Sequence, residues 1–103
     1  MENQFGDKIR QLREGKNLLQ RQVASMLEID TPMLSKIERG ERKARKEQVV
    51  QFAGVFNTNK DELLTLWLAD QLYDVAKDEE VALKAIQMTE RKIKIHKNIK
   101  RNQ

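Results

Sequence analysis

The chain has 103 residues and no cysteine, which is the length of one domain and rules out a disulfide framework or a thiolate metal site. Twenty basic and 16 acidic side chains give a net charge of +4, and no apolar run approaches membrane-spanning length. Residues 1–15 hold no signal-like apolar stretch, so the expected location is the cytoplasm, with no membrane partner. Residues 60–80 carry 2 basic and 7 acidic groups, and residues 81–103 carry 7 basic and 1 acidic. An acidic middle is repelled by phosphate, so it is expected to face away from any nucleic acid.

Apolar residues recur at helical spacing throughout, and no segment alternates as a half-buried strand would. Phe5, Ile9 and Leu12 mark a first helix ending near Gly15. A second runs from Gln20 to Leu27 with Val23, Ala24 and Leu27 inward, and Glu28-Ile29-Asp30 breaks it. The third starts at Thr31-Pro32, threonine capping and proline in the first position, and stops at Gly40. A basic loop follows, Glu41 to Lys46. The fourth spans about Glu47 to Phe56, with Val49, Val50, Phe52, Ala53 and Phe56 as its apolar set, and Asn57-Thr58-Asn59 turns the chain. A fifth runs from near Asp61 toward Lys77, and Asp78 is a candidate cap for a sixth that runs into a fraying tail. The expected fold is all-α: a five-helix domain over residues 1–70 and a helical extension over 71–103.

The informative stretch is Leu18 to Gly40, LLQRQVASMLEIDTPMLSKIERG. Two short helices meet across a tight turn, with small Ala24 at their approach and Val23, Leu27, Ile29, Leu34 and Ile37 between them. Such a pair can lay its second helix in the DNA major groove, where each base pair presents a distinct donor and acceptor pattern.

Gln20…Ala24 and Ser35-Lys36-Ile37-Glu38-Arg39-Gly40, after the Ile9-Arg10-x-Leu12-Arg13 helix, resemble the lambda repressor/Cro-like, or XRE-type, helix-turn-helix family over about residues 5–70. The resemblance implies a sequence-specific DNA-binding regulator. It implies that Thr31, Pro32, Ser35 and Lys36 face base edges. It places Gln20 on a phosphate, with Arg42, Lys43 and Arg45 of the basic loop holding others. It makes Arg13 and Glu38 a structural ion pair. Arg21 and Arg39 are further phosphate-side candidates. Two positions depart from the family pattern. Glu28 stands where glycine is usual, so either it takes a left-handed conformation or the turn differs. Leu19 stands where a Ser or Thr usually caps the second helix, so either Asn17 starts that helix early or the cap is missing.

Each of these residues has a plainer reading. Thr31 can be a cap, Lys36 a solvated lysine, and 42–46 an ordinary charged loop. His96, the single histidine, lies in the tail with no partners for a metal, and no cofactor is expected. Asp70, Asp74, Asp78, Glu79 and Glu80 read as a solvated acidic face. Residues 61–77 hold too many apolar side chains for one stripe, which leaves one face for the core and another for the next helix or a second copy. The expected homodimer buries Leu68, Leu72 and Val75, with Trp67 nearer the core. The basic tail from Arg91 to Arg101 is either a disordered arm or a helix that folds only in a dimer. No constellation for enzymatic chemistry is present. The leading reading is a small phage-type repressor or a restriction–modification controller that binds double-stranded DNA. The competing one is an antitoxin-like or adaptor protein whose C-terminal part grips a second protein.

Overall fold

The computed structural model describes residues 3–101 as six helices: α1 (Gln4–Gly15), α2 (Gln20–Leu27), α3 (Thr31–Arg39), α4 (Lys46–Phe56), α5 (Lys60–Ala76) and α6 (Ala82–Arg101). The all-helical expectation holds among these residues, with no strand. Residues 102 and 103, where fraying was expected, lie outside the described residues.

The starts of α1 to α5 each have their own side-chain hydrogen bonds to the free amides. Asn3 Oδ1 accepts from the Gly6 N–H at 3.1 Å, Asp30 Oδ1 from Met33 at 2.7 Å and Asn59 Oδ1 from Glu62 at 2.9 Å. Asp30 therefore caps α3, and Thr31 is its first helical residue rather than its cap. Helices α2 and α4 begin after Leu19 and Arg45, whose side chains do not cap. In both, a glutamine three residues on reaches back. Gln22 Oε1 accepts from the Leu19 N–H at 2.7 Å, and Gln48 Oε1 from that of Arg45 at 2.8 Å. The missing Ser/Thr cap of α2 is thus answered by Gln22, and Asn17 does not start the helix.

Helices α1 to α4 end on left-handed residues. Gly15 lies inside α1, and the stop is Asn17 at φ 57°, after which Leu18 N–H donates to Arg13 C=O at 3.0 Å. Gly40 ends α3 at φ 78°, as expected. Asp78 does not cap α6, which opens at Ala82 after a turn and continues without break to Arg101.

The core gathers Ile9, Val23, Leu34, Ile37, Val49, Phe52, Phe56 and Leu63, all shut off from solvent. Phe5 meets Phe52 edge-on at 5.9 Å, and Phe52 stacks on Phe56 at 6.2 Å. Each such side chain contributes about 1.5–3 kcal/mol of burial. Helix α1 lies against α3 and α5, α2 against α3 and α4, and α4 against α5. Gly6 permits the α1–α3 approach, since a Cβ there would sit 2.5 Å from the Ile37 carbonyl oxygen. Val50, expected inward, is exposed, and Ile29 is half-buried.

The turn between α2 and α3 has the strain that glycine would avoid. Glu28 sits at φ 58°, ψ 40° and is exposed. Glu28→Gly is expected to raise stability by about 1 kcal/mol, because an L side chain is disfavoured there. The midpoint of thermal unfolding should rise by roughly 4–8 °C. An unchanged or lower midpoint would show that the turn carries no such strain.

Candidate nucleic-acid interface

Helix α3 turns Leu34, Ile37 and Glu38 inward. At 100° per residue, this leaves Pro32, Ser35, Lys36 and Arg39 around its outer side, with Thr31 on the flank beside Glu38. Pro32, Lys36 and Arg39 are exposed, and Thr31 and Ser35 are half-buried. Behind this face, Ala24 is buried, and its methyl group is small enough to let α2 approach closely.

The rear of α3 is held by Glu38, whose side chain is 3% exposed. Arg13 donates to it twice, Nε to Oε2 at 2.7 Å and Nη2 to Oε1 at 3.0 Å. Arg13 Nη1 donates to the Leu18 carbonyl at 3.0 Å, so one guanidinium ties α1, α3 and the chain entering α2. The hydrogen bond to Glu38 raises the Arg13 pKa above its ordinary value. Gln20 Nε2 also donates to Glu38 Oε1, at 3.0 Å, so its amide faces the buried carboxylate. Asn3 Nδ2 donates to the Glu38 carbonyl at 2.7 Å.

Basic side chains surround the outer face. Arg21, Arg42, Lys43 and Arg45 are exposed. Arg39 donates to Ser35 Oγ and to both carboxylate oxygens of Glu41. The hydrogen bond from Arg39 holds the Glu41 carboxyl below its ordinary pKa. Both groups are exposed, so this contact is a weak one. Lys43 Nζ donates to Gln71 Oε1 at 3.2 Å. Within the loop, Ala44 is buried and its carbonyl accepts from Trp67 Nε1 at 2.7 Å. The basic loop is therefore tethered to α5.

Asp70 is not part of a solvated face. Its two oxygens accept from the Gln4 and Phe5 N–H groups at 3.1 and 2.9 Å, which fixes the start of α1 to α5. Asp70 and Asp74 line a cavity of about 340 Å³ shared with Arg39, Arg42 and Lys43. This part of the acidic segment adjoins the basic loop rather than lying remote from it. His96 is an exposed residue within α6, not in a frayed end. No His, Cys, Asp and Glu cluster suited to a metal occurs among the described residues, and no helix among them is long and apolar enough to cross a membrane.

Sequence reasoning passed over Asn3, Asp30, Gln22, Gln48, Trp67 and Asp70. The first four had local signals, an Asn or Asp before a helix and a Gln three residues in. Trp67 and Asp70 act on residues 23 to 66 positions away, which no local pattern reports.

Two short helices across a three-residue turn, the second with its outer face free beside a basic loop, define a helix-turn-helix. Residues 9–63 match the model of the Helix-turn-helix family, and the chain belongs to that family, a DNA-binding class, in its XRE type. It is also similar to the HTH-type transcriptional activator BcrR of Enterococcus faecalis, at 34% identity over 76 residues, 74% of this chain and 36% of that protein. The chain thus spans about a third of the length of this relative. No solved structure matches it.

Proposed function

We propose that the chain is a sequence-specific transcriptional regulator that binds duplex DNA as a homodimer in the cytoplasm, without an enzymatic step. The observation that carries this is the free outer face of α3, with Pro32 and Lys36 exposed beside the cationic 42–45 loop. Residues 1–70 form the DNA-binding domain, and 71–103, with Leu68, hold the dimer. Helix α3 enters the major groove. Lys36 and Ser35 meet base edges by hydrogen bonds, and Thr31 and Pro32 by short or apolar contacts. Arg21, Arg42, Lys43 and Arg45 meet phosphates. Arg39 exchanges its weak contact with Glu41 for a phosphate. Gln20 sits at the start of α2 within reach of the backbone while its amide group braces Glu38. Leu68, Leu72 and Val75, 51%, 53% and 79% exposed, are the apolar surface a second copy covers.

Two-fold symmetry sets recognition helices one DNA turn apart. Selection of bound duplexes from a random pool is expected to enrich an inverted repeat with half-sites about 10 base pairs apart, centre to centre. Recovery of unrelated sequences would contradict specific recognition, and recovery of single half-sites would contradict the dimer.

A further inference from the structure

Helix α6 is 20 residues long and buries no side chain. Most helical stability in proteins comes from packing an amphipathic face rather than from propensity. At 100° per residue, Ala82, Ile86 and Ile93 fall on one side and Met88, Ile95 and Ile99 on the adjoining one. Together they cover about half the circumference. Ile86, Met88, Ile93, Ile95 and Ile99 are 48–59% exposed. The remaining surface carries Lys84, Arg91, Lys94, Lys97 and Arg101 with Glu90, while Lys92 and Lys100 lie between the two apolar rows. Helix α5 carries the complementary surface. Leu68, Leu72 and Val75 line an exposed side of it, with Leu64 turned to the core, and acidic residues frame both ends, Asp61 and Glu62 before, Asp78, Glu79 and Glu80 after.

The same chain does not join these surfaces. The connecting turn is itself hydrogen-bonded, Glu79 N–H to Ala76 C=O at 3.0 Å and Ala82 N–H to Glu79 C=O at 3.2 Å, and α6 packs closely on none of the other helices. The radius of gyration is 16.0 Å, against about 13 Å for a compact domain of this length. Helix α6 is a projecting arm. Two such arms repel each other as like-charged helices, whereas an arm and the acid-framed face of α5 attract.

We propose that two copies exchange arms, the basic amphipathic α6 of each lying along the outer face of α5 of the other. This rests on the homodimer reading above and gives that dimer its contacts. The facing sides of the two helices, roughly half of each, approach the 20–30 residues a side that a stable interface uses.

Sedimentation of two variants, separately and mixed, tests it. Leu72→Glu spoils the receiving face and leaves the arm intact. A chain with Ile86→Glu and Ile93→Glu spoils the arm and leaves the face intact. All three sites are exposed, and circular dichroism checks that both variants keep the helical fold. The wild type is expected to be a dimer at micromolar concentration, and each variant alone a monomer. Mixing the two restores one arm-to-face contact, so a mixed dimer should form, at least tenfold weaker than the wild type. A wild-type dimer that persists in the arm variant, or is lost in both without recovery on mixing, overturns arm exchange and leaves the homodimer reading standing. A monomeric wild type overturns both. A monomer that sediments with anionic phospholipid vesicles through α6 would assign the arm to a lipid surface instead.

Discussion

Glu38→Ala is expected to lower unfolding free energy by about 3–5 kcal/mol, the range for breaking a buried ion pair from one side. The carboxylate is 3% exposed and takes hydrogen bonds from Arg13 and Gln20. Its loss leaves the Arg13 guanidinium, 12% exposed, without its counter-charge, and the Gln20 amide without its acceptor. Arg13→Ala strands the carboxylate in turn and should cost a similar amount. The double variant should cost clearly less than the sum, by 1 kcal/mol or more, because neither charge is then left alone. Chemical denaturation of the four proteins reads the coupling directly. Strict additivity would mean that the two groups act independently of one another.

The helices were legible because their signals are local. Apolar spacing around Ile9, Val23 and Phe52 sets the inward faces, and Gly40 announces the end of α3. The boundaries that shifted did so where two residues compete for one role. Asp30 and Thr31 are both good caps, and the aspartate one residue earlier took the position. At the end of α1, Gly15 offered freedom of conformation, but asparagine tolerates the left-handed region and Asn17 used it. Asp70 looked like one acid among several. Its role as the cap of α1 depends on a contact 65 and 66 residues away in sequence, set only when α5 packs against α1. The excess of apolar residues in 61–77 was visible, but not the choice between the next helix and a second copy as cover. The turn at 77–81 carries α6 away, so the next helix of the same chain does not provide that cover.

Lys36→Ala and Arg45→Ala are expected to weaken DNA binding in different ways. Lys36 stands on the outer side of α3, where side chains meet base edges. Its loss should cost about 1–3 kcal/mol at the best site and relax discrimination at one or two positions. Arg45 stands at the start of α4, outside the groove-facing helix. Its loss should weaken all duplexes by a similar factor and lower the salt slope by about 1 per copy. Affinities of both variants for the selected site and for single-position mismatches separate the two roles. The same relative loss on every duplex for both variants would reject the assignment of Lys36 to base reading.

The central claim is that α3 and its basic surroundings hold duplex DNA through phosphates as well as bases. It is tested most directly by titrating the wild-type chain with its best selected duplex across a range of salt. In the proposed dimer, Arg21, Arg39, Arg42, Lys43 and Arg45 of each copy would displace condensed counterions on binding. Affinity is therefore expected to fall by about 10³ or more between roughly 50 and 200 mM salt. An affinity that changes by less than about tenfold over that range, or no binding at low salt, would contradict it.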